Sequence, residues 1–123
     1  MTPEGRVKNE VKKQLKAIGA YQFWPVQSGM GAPALDCYAC LAGRFVAIET
    51  KAPGKRPTPR QEITLTTIAD AGGITLVIDS VDMAKMIPEI LNVRSIIPRA
   101  QSPGPTGRDG LYRQHRHKPE ADR

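Results

Sequence analysis

Apolar residues in the first eighteen positions recur at helical intervals. Val7, Val11, Leu15 and Ile18 fall three or four apart and so share one face of a helix. Thr2 before Pro3 has the form of a helix start, a capping side chain followed by a residue whose missing N–H is harmless in the first turn. Gly19 is a natural stop. The period then shortens to two. Tyr21–Gln27 reads as a strand, which Pro25 confines to a sheet edge or a bulge. Leu35–Leu41 and Arg44–Lys51 read as two strands joined by the turn-prone pair Ala42-Gly43. Thr58-Pro59-Arg60-Gln61 is a capping box, with Thr at the N-cap and Gln at N3. It opens a helix through Ile63, Leu65 and Ile68 that Gly72-Gly73 ends. Ile74–Ile78 is a short apolar run of the kind found in buried strands, and Ser80 caps a further helix that Pro88 disturbs. The order α-β-β-β-α-β-α, with a helix crossing between the third and fourth strands, predicts an α/β fold: a mixed sheet flanked by helices.

Chemistry concentrates at one end of the central ribbon. With Ala42-Gly43 as a two-residue turn, Asp36 falls opposite Glu49, thirteen positions later. Side chains alternate along a strand, so Phe45, Ala47, Glu49 and Lys51 share a face. Directly opposed residues have Cβ atoms on the order of 5 Å apart, near enough for both carboxylates to touch one divalent cation. A Glu-x-Lys triplet on a solvated strand is commonplace, but Arg44-Phe45-Val46-Ala47-Ile48 is apolar and β-prone and delivers its charges only where the strand leaves the core. The pattern points to a metal-dependent site. In the first helix Glu4 lies about 25° from the centre of the apolar face, against about 95° for Glu10, so Glu4 projects inward as a further candidate ligand.

The formal charge of +6 favours a polyanionic partner, nucleic acid above all. Its distribution agrees: Lys8 and Lys12 lie in the first helix, and Lys55, Arg56 and Arg60 follow the carboxylates. Cys37 and Cys40, three apart on a strand, point to opposite faces and neither pair nor chelate; both read as buried or half-buried. No apolar run approaches a membrane span and no secretory signal opens the chain, so a cytoplasmic location is expected. The glycines at 29 and 31 lack the spacing of a nucleotide-binding loop, so no nucleotide cofactor is expected. Residues 1–97 read as one domain. From Pro98 onward Ser, Pro, Gly and Arg dominate, and residues 98–123 read as a basic tail without a core of its own.

Gly31-Ala32-Pro33-Ala34-Leu35-Asp36, then Gly43 to Gly54 around Glu49-Thr50-Lys51, then Pro57-Thr58-Pro59-Arg60-Gln61, together resemble the VRR-NUC branch of the PD-(D/E)xK nuclease superfamily, small stand-alone members of which occur in bacteriophages. The resemblance covers roughly Thr2 to Asp79. One departure is that the usual Pro-Asp is here Pro33-Ala34-Leu35-Asp36. The resemblance implies an αβββαβ core and hydrolysis of DNA phosphodiesters with Mg²⁺ or Mn²⁺. Asp36 takes the place of the motif aspartate, Glu49 and Lys51 that of the E-x-K pair, Gln61 that of the glutamine of the next helix, and Glu4 that of the acid of the first. In that scheme Asp36, Glu49, the Thr50 carbonyl and Glu4 hold metal, and Lys51 meets the phosphate and the attacking water. The capping box explains Gln61 about as well as catalysis does. The substrate implied is branched DNA cut by a homodimer, as in Holliday-junction resolvases. The alternatives are a less selective nuclease and a non-catalytic DNA-binding module on the same fold.

Overall fold

The computed structural model describes residues 1–26 and 34–91. The expected tail at 98–123 and the glycine-bearing loop before Ala34 lie outside them. Helix α1 (Pro3–Ala17) leads into β1 (Tyr21–Phe23), β2 (Cys37–Leu41) and β3 (Arg44–Thr50). Then follow α2 (Pro59–Asp70), β4 (Ile74–Ile78) and two short helices, α3 (Val81–Lys85) and α4 (Ile87–Ile90). The sheet runs β1-β2-β3-β4, antiparallel except for the β3–β4 pair. The mixed sheet flanked by helices is therefore as expected.

Local signals place the boundaries. Thr2 caps α1 by accepting from Gly5 N–H, and Thr58 and Gln61 form both halves of the capping box of α2. Ala42 and Gly43 both take positive φ, 53° and 81°, the type I′ conformation whose twist matches a hairpin. That turn sets the pairing from Leu41 with Arg44 to Cys37 with Ile48. Gly73 sits where α2 returns to the sheet. A Cβ there would lie 2.7 Å from Ile68 Cγ2 and 3.3 Å from its carbonyl oxygen, so only glycine fits without movement.

The two faces of the sheet are covered unequally. On one face Cys37, Ala39, Leu41, Val46, Ile48 and Ile78 pack with Val7, Val11 and Leu15 of α1 and with Ala84, Ile87 and Leu91. On the other, Leu65 of α2 packs only with Leu35 and Ala47, joined by Tyr38, Ile68 and Val77. Three expectations change. The first strand stops at Phe23, two residues before Pro25. Strand β4 is an edge strand, half-buried up to Ile78, because no described strand lies beyond it. Cys40 is exposed while Cys37 is buried, because Cys40 points to the half of the second face that α2 leaves open.

Thr58→Ala removes the acceptor for the Gln61 N–H and should cost about 1 kcal/mol in urea unfolding, whereas the exposed Thr66→Ala should stay within about 0.5 kcal/mol of wild type. Equal losses would show that the capping box does not stabilise α2.

Candidate active site

The hairpin register brings Asp36 and Glu49 face to face at the end where β2 begins and β3 ends. They interlock through the backbone. The N–H of Asp36 donates to Glu49 Oε1 at 3.2 Å. The N–H and the hydroxyl of Thr50 both donate to Asp36 Oδ2, at 3.0 and 2.7 Å. One oxygen of each carboxylate is thereby committed to the protein. The other oxygen of each faces a cation: Asp36 Oδ1 lies 3.8 Å from Lys8 Nζ, and Glu49 Oε2 lies 3.4 Å from Lys51 Nζ.

Burial gives these contacts their weight. Glu49 is only 2% exposed and Thr50 is fully buried. Burial pushes the Glu49 carboxyl above its ordinary value and the Asp36 charge pushes the same way; Lys51 and the Asp36 N–H oppose them. A buried carboxylate facing a second carboxylate favours any species that brings positive charge to it. The donor set is hard oxygen, and two ammonium groups stand against it, as a divalent cation would. Asp36 and Glu49 therefore fit Mg²⁺ or Mn²⁺.

The remaining residues sit at varying distances from this pair. Glu4 is on the inward side of α1, but its carboxylate is 41% exposed and meets Lys8 at 3.7 Å, so it reaches Asp36 only through the lysine. Among the described residues no group of three or more acids, histidines or cysteines is close enough to hold a metal. Lys8 bridges the two acids instead of standing free. Lys12 lies over the Trp24 ring, 4.9 Å from its centroid. Gln61 spends its amide oxygen on the N–H of Thr58 at 2.9 Å. Lys55 and Arg56 line a groove of about 410 Å³ with Gly54, Pro57, Glu62, Val77 and Asp79, and Arg60 is exposed in the first turn of α2.

Two participants were not named from the sequence: the Thr50 side chain and the link from Lys8 to Asp36. Thr50 carried a usable signal, being the polar residue on the face that Val46 and Ile48 otherwise make apolar. Lys8 carried a weaker one, its place four residues after Glu4, where helical side chains meet.

No protein-family profile matches the chain. The protein named "Putative nuclease p44", from Acyrthosiphon pisum secondary endosymbiont phage 1, is 25% identical over 87 residues, a span of 71% of this chain and 94% of that protein. A solved structure described as a VRR_NUC domain superposes with a TM-score of 0.62 at 24% identity, covering 71% of this chain and 96% of the other. The fold is that of a VRR_NUC domain. No helix among the described residues is long and apolar enough to cross a membrane.

The raised Glu49 value has a consequence for stability. Above the ordinary carboxylate value of 4.5, the folded chain retains a proton that the unfolded chain has released. Stability therefore falls as pH rises through that window. In metal-free buffer, the stability of wild type relative to Glu49→Gln should decline from about pH 4.5 upward. A difference independent of pH would show that burial does not perturb Glu49.

Proposed function

We propose, from a VRR_NUC fold with two facing carboxylates and a lysine at one end of its sheet, that the chain is a divalent-metal-dependent DNA endonuclease. The observation that carries this reading is the interlocked pair of Asp36 and Glu49, each keeping one oxygen turned toward a cation. The relative named as a nuclease supports it. So does the net charge of +6, because phosphate contacts dominate nucleic-acid affinity.

Asp36 and Glu49 would hold Mg²⁺ or Mn²⁺, with the Thr50 carbonyl as a further ligand and Glu4 joining directly or through water. Such a cation supplies charge neutralisation at the phosphoryl oxygens and acidifies a water. Thr50 keeps Asp36 from turning away, since its two donors hold Oδ2 in place. Lys51, beside Glu49 on the same strand face, meets the scissile phosphate and orients the attacking water. Gln61 holds the start of α2 and offers its amide N–H groups to that water. Lys55, Arg56 and Arg60 take the flanking phosphates, with Lys12 and Lys8 at the α1 side.

The substrate in this reading is branched DNA, and the acting species a pair of identical chains. A junction with two-fold symmetry presents two equivalent phosphates, which a two-fold dimer matches.

Four-way junction, flap, linear duplex and single-stranded DNA, each incubated with Mg²⁺, test the reading directly. Wild type should cut the branched substrates first, and Lys51→Ala should lose on the order of 100-fold or more in rate. Equal rates for the two proteins would remove the site; equal cutting of all substrates would leave a nuclease without structural preference. Lys8 offers a test that needs no DNA. Lys8→Gln removes the ammonium that competes at Asp36 Oδ1, so Mn²⁺ binding followed by calorimetry should tighten roughly two- to five-fold, the scale of a partly exposed ion pair. Unchanged affinity would put Lys8 outside the metal's surroundings.

A further inference from the structure

Thr50 stands between Glu49 and Lys51, and its side chain is spent on a third residue. It is fully buried, on the strand face that the buried Val46 and Ile48 otherwise make apolar. A hydroxyl in such a place is costly unless it is bonded. Here it lies 2.7 Å from Asp36 Oδ2, and the Thr50 N–H reaches the same oxygen at 3.0 Å. An ionised carboxylate oxygen only accepts, and it offers about two lone-pair directions. Both of those on Oδ2 are therefore filled, and by a single residue. Oδ1, which faces Lys8 at 3.8 Å, is the Asp36 oxygen that is left. Glu49 is less fully committed, since its Oε1 accepts only the Asp36 N–H, at 3.2 Å.

We propose that the Thr50 hydroxyl makes Asp36 a one-oxygen ligand and thereby sets which divalent cation the site prefers. Ca²⁺ gathers about six to eight oxygens in an irregular arrangement and commonly takes both from one carboxylate, whereas Mg²⁺ demands a near-ideal octahedron and keeps several waters. The narrow bite of a chelating carboxylate suits the larger ion and strains an octahedron. An aspartate with one oxygen already spent thus serves Mg²⁺ or Mn²⁺ and leaves Ca²⁺ a ligand short. To chelate Ca²⁺, Asp36 would have to release a hydroxyl that has no water to turn to, because Thr50 is buried, and an unmade buried hydrogen bond is expensive. The selectivity resides in the Thr50 side chain, apart from its carbonyl, and acts through Asp36. Thr50 is accordingly a positioning residue.

The inference rests on the metal-binding reading above, and binding measured without DNA separates the two. Calorimetric titration of the whole chain with Mn²⁺ and with Ca²⁺ should show that the wild type prefers Mn²⁺. Thr50→Val keeps the carbonyl and the side-chain shape but lacks the hydroxyl. It should lower the ratio of Mn²⁺ to Ca²⁺ affinity roughly ten-fold, the scale of one hydrogen bond to a charged group. Thr50→Ser, which keeps a hydroxyl, should hold the ratio at the wild-type value. Circular dichroism checks that the variants are folded, and Thr50→Ala, with no branched side chain to place, should shift the ratio as Thr50→Val does. A merely structural role would weaken both ions together and leave the ratio alone. An unchanged ratio in a folded hydroxyl-free variant that still binds Mn²⁺ overturns the inference and leaves the metal site standing. So does a wild type that holds Ca²⁺ as tightly as Mn²⁺. A wild type that binds neither ion overturns the metal site as well.

Discussion

The pairing register of one hairpin governs the rest of the site. Ala42 and Gly43 both occupy positive φ, so the loop is two residues long and each residue of β2 has a single partner on β3. A slip by one residue would turn Asp36 and the core residues Cys37, Ala39 and Leu41 to opposite faces at once. Burial therefore protects the register, and the register places the carboxylates. Thr50 completes the lock. Its hydroxyl and N–H hold a part-buried Asp36 oxygen in place.

That lock explains why acids can share so small a space. Each carboxylate gives one oxygen to backbone or hydroxyl donors and the other to a lysine. The oxygen of each carboxylate that the backbone does not hold thus faces an ammonium group, at 3.8 and 3.4 Å. Lys8 and Lys51 arrive from different elements, α1 and β3. Positive charge is thus supplied from two sides of the carboxylate pair.

Uneven coverage of the sheet leaves part of its second face exposed. Helices α1, α3 and α4 close one face. Helix α2 packs over Ala47, Val77 and Tyr38 on the other, and Gly73 lets the chain turn back tightly beside Ile68 and Phe45. The carboxylates lie at one end of the second face, and Tyr21, Phe23 and Phe45 are exposed on it. Both are consequences of a single short helix set over one side of a four-stranded sheet.

Much of this was legible in the chain itself. Helical spacing of Val7, Val11 and Leu15, the caps at Thr2 and Thr58, and the turn at Ala42-Gly43 are decided within a few residues, because backbone dihedrals and nearby hydrogen bonds set them. The opposition of Asp36 and Glu49 followed from that local geometry. What depends on how elements dock did not. Glu4 was placed on the inward side of α1, where its contact with Lys8 is local to the helix, but only the docking of α1 on the sheet brought Lys8 to Asp36. Ile74–Ile78 looked like an interior strand, and only the strand order made it an edge. Cys40 looked half-buried until the width of α2's footprint left it in the open. Periodicity reports which side of an element is apolar; only the packed structure decides what lies against that side, because the covering surface comes from residues far away in sequence.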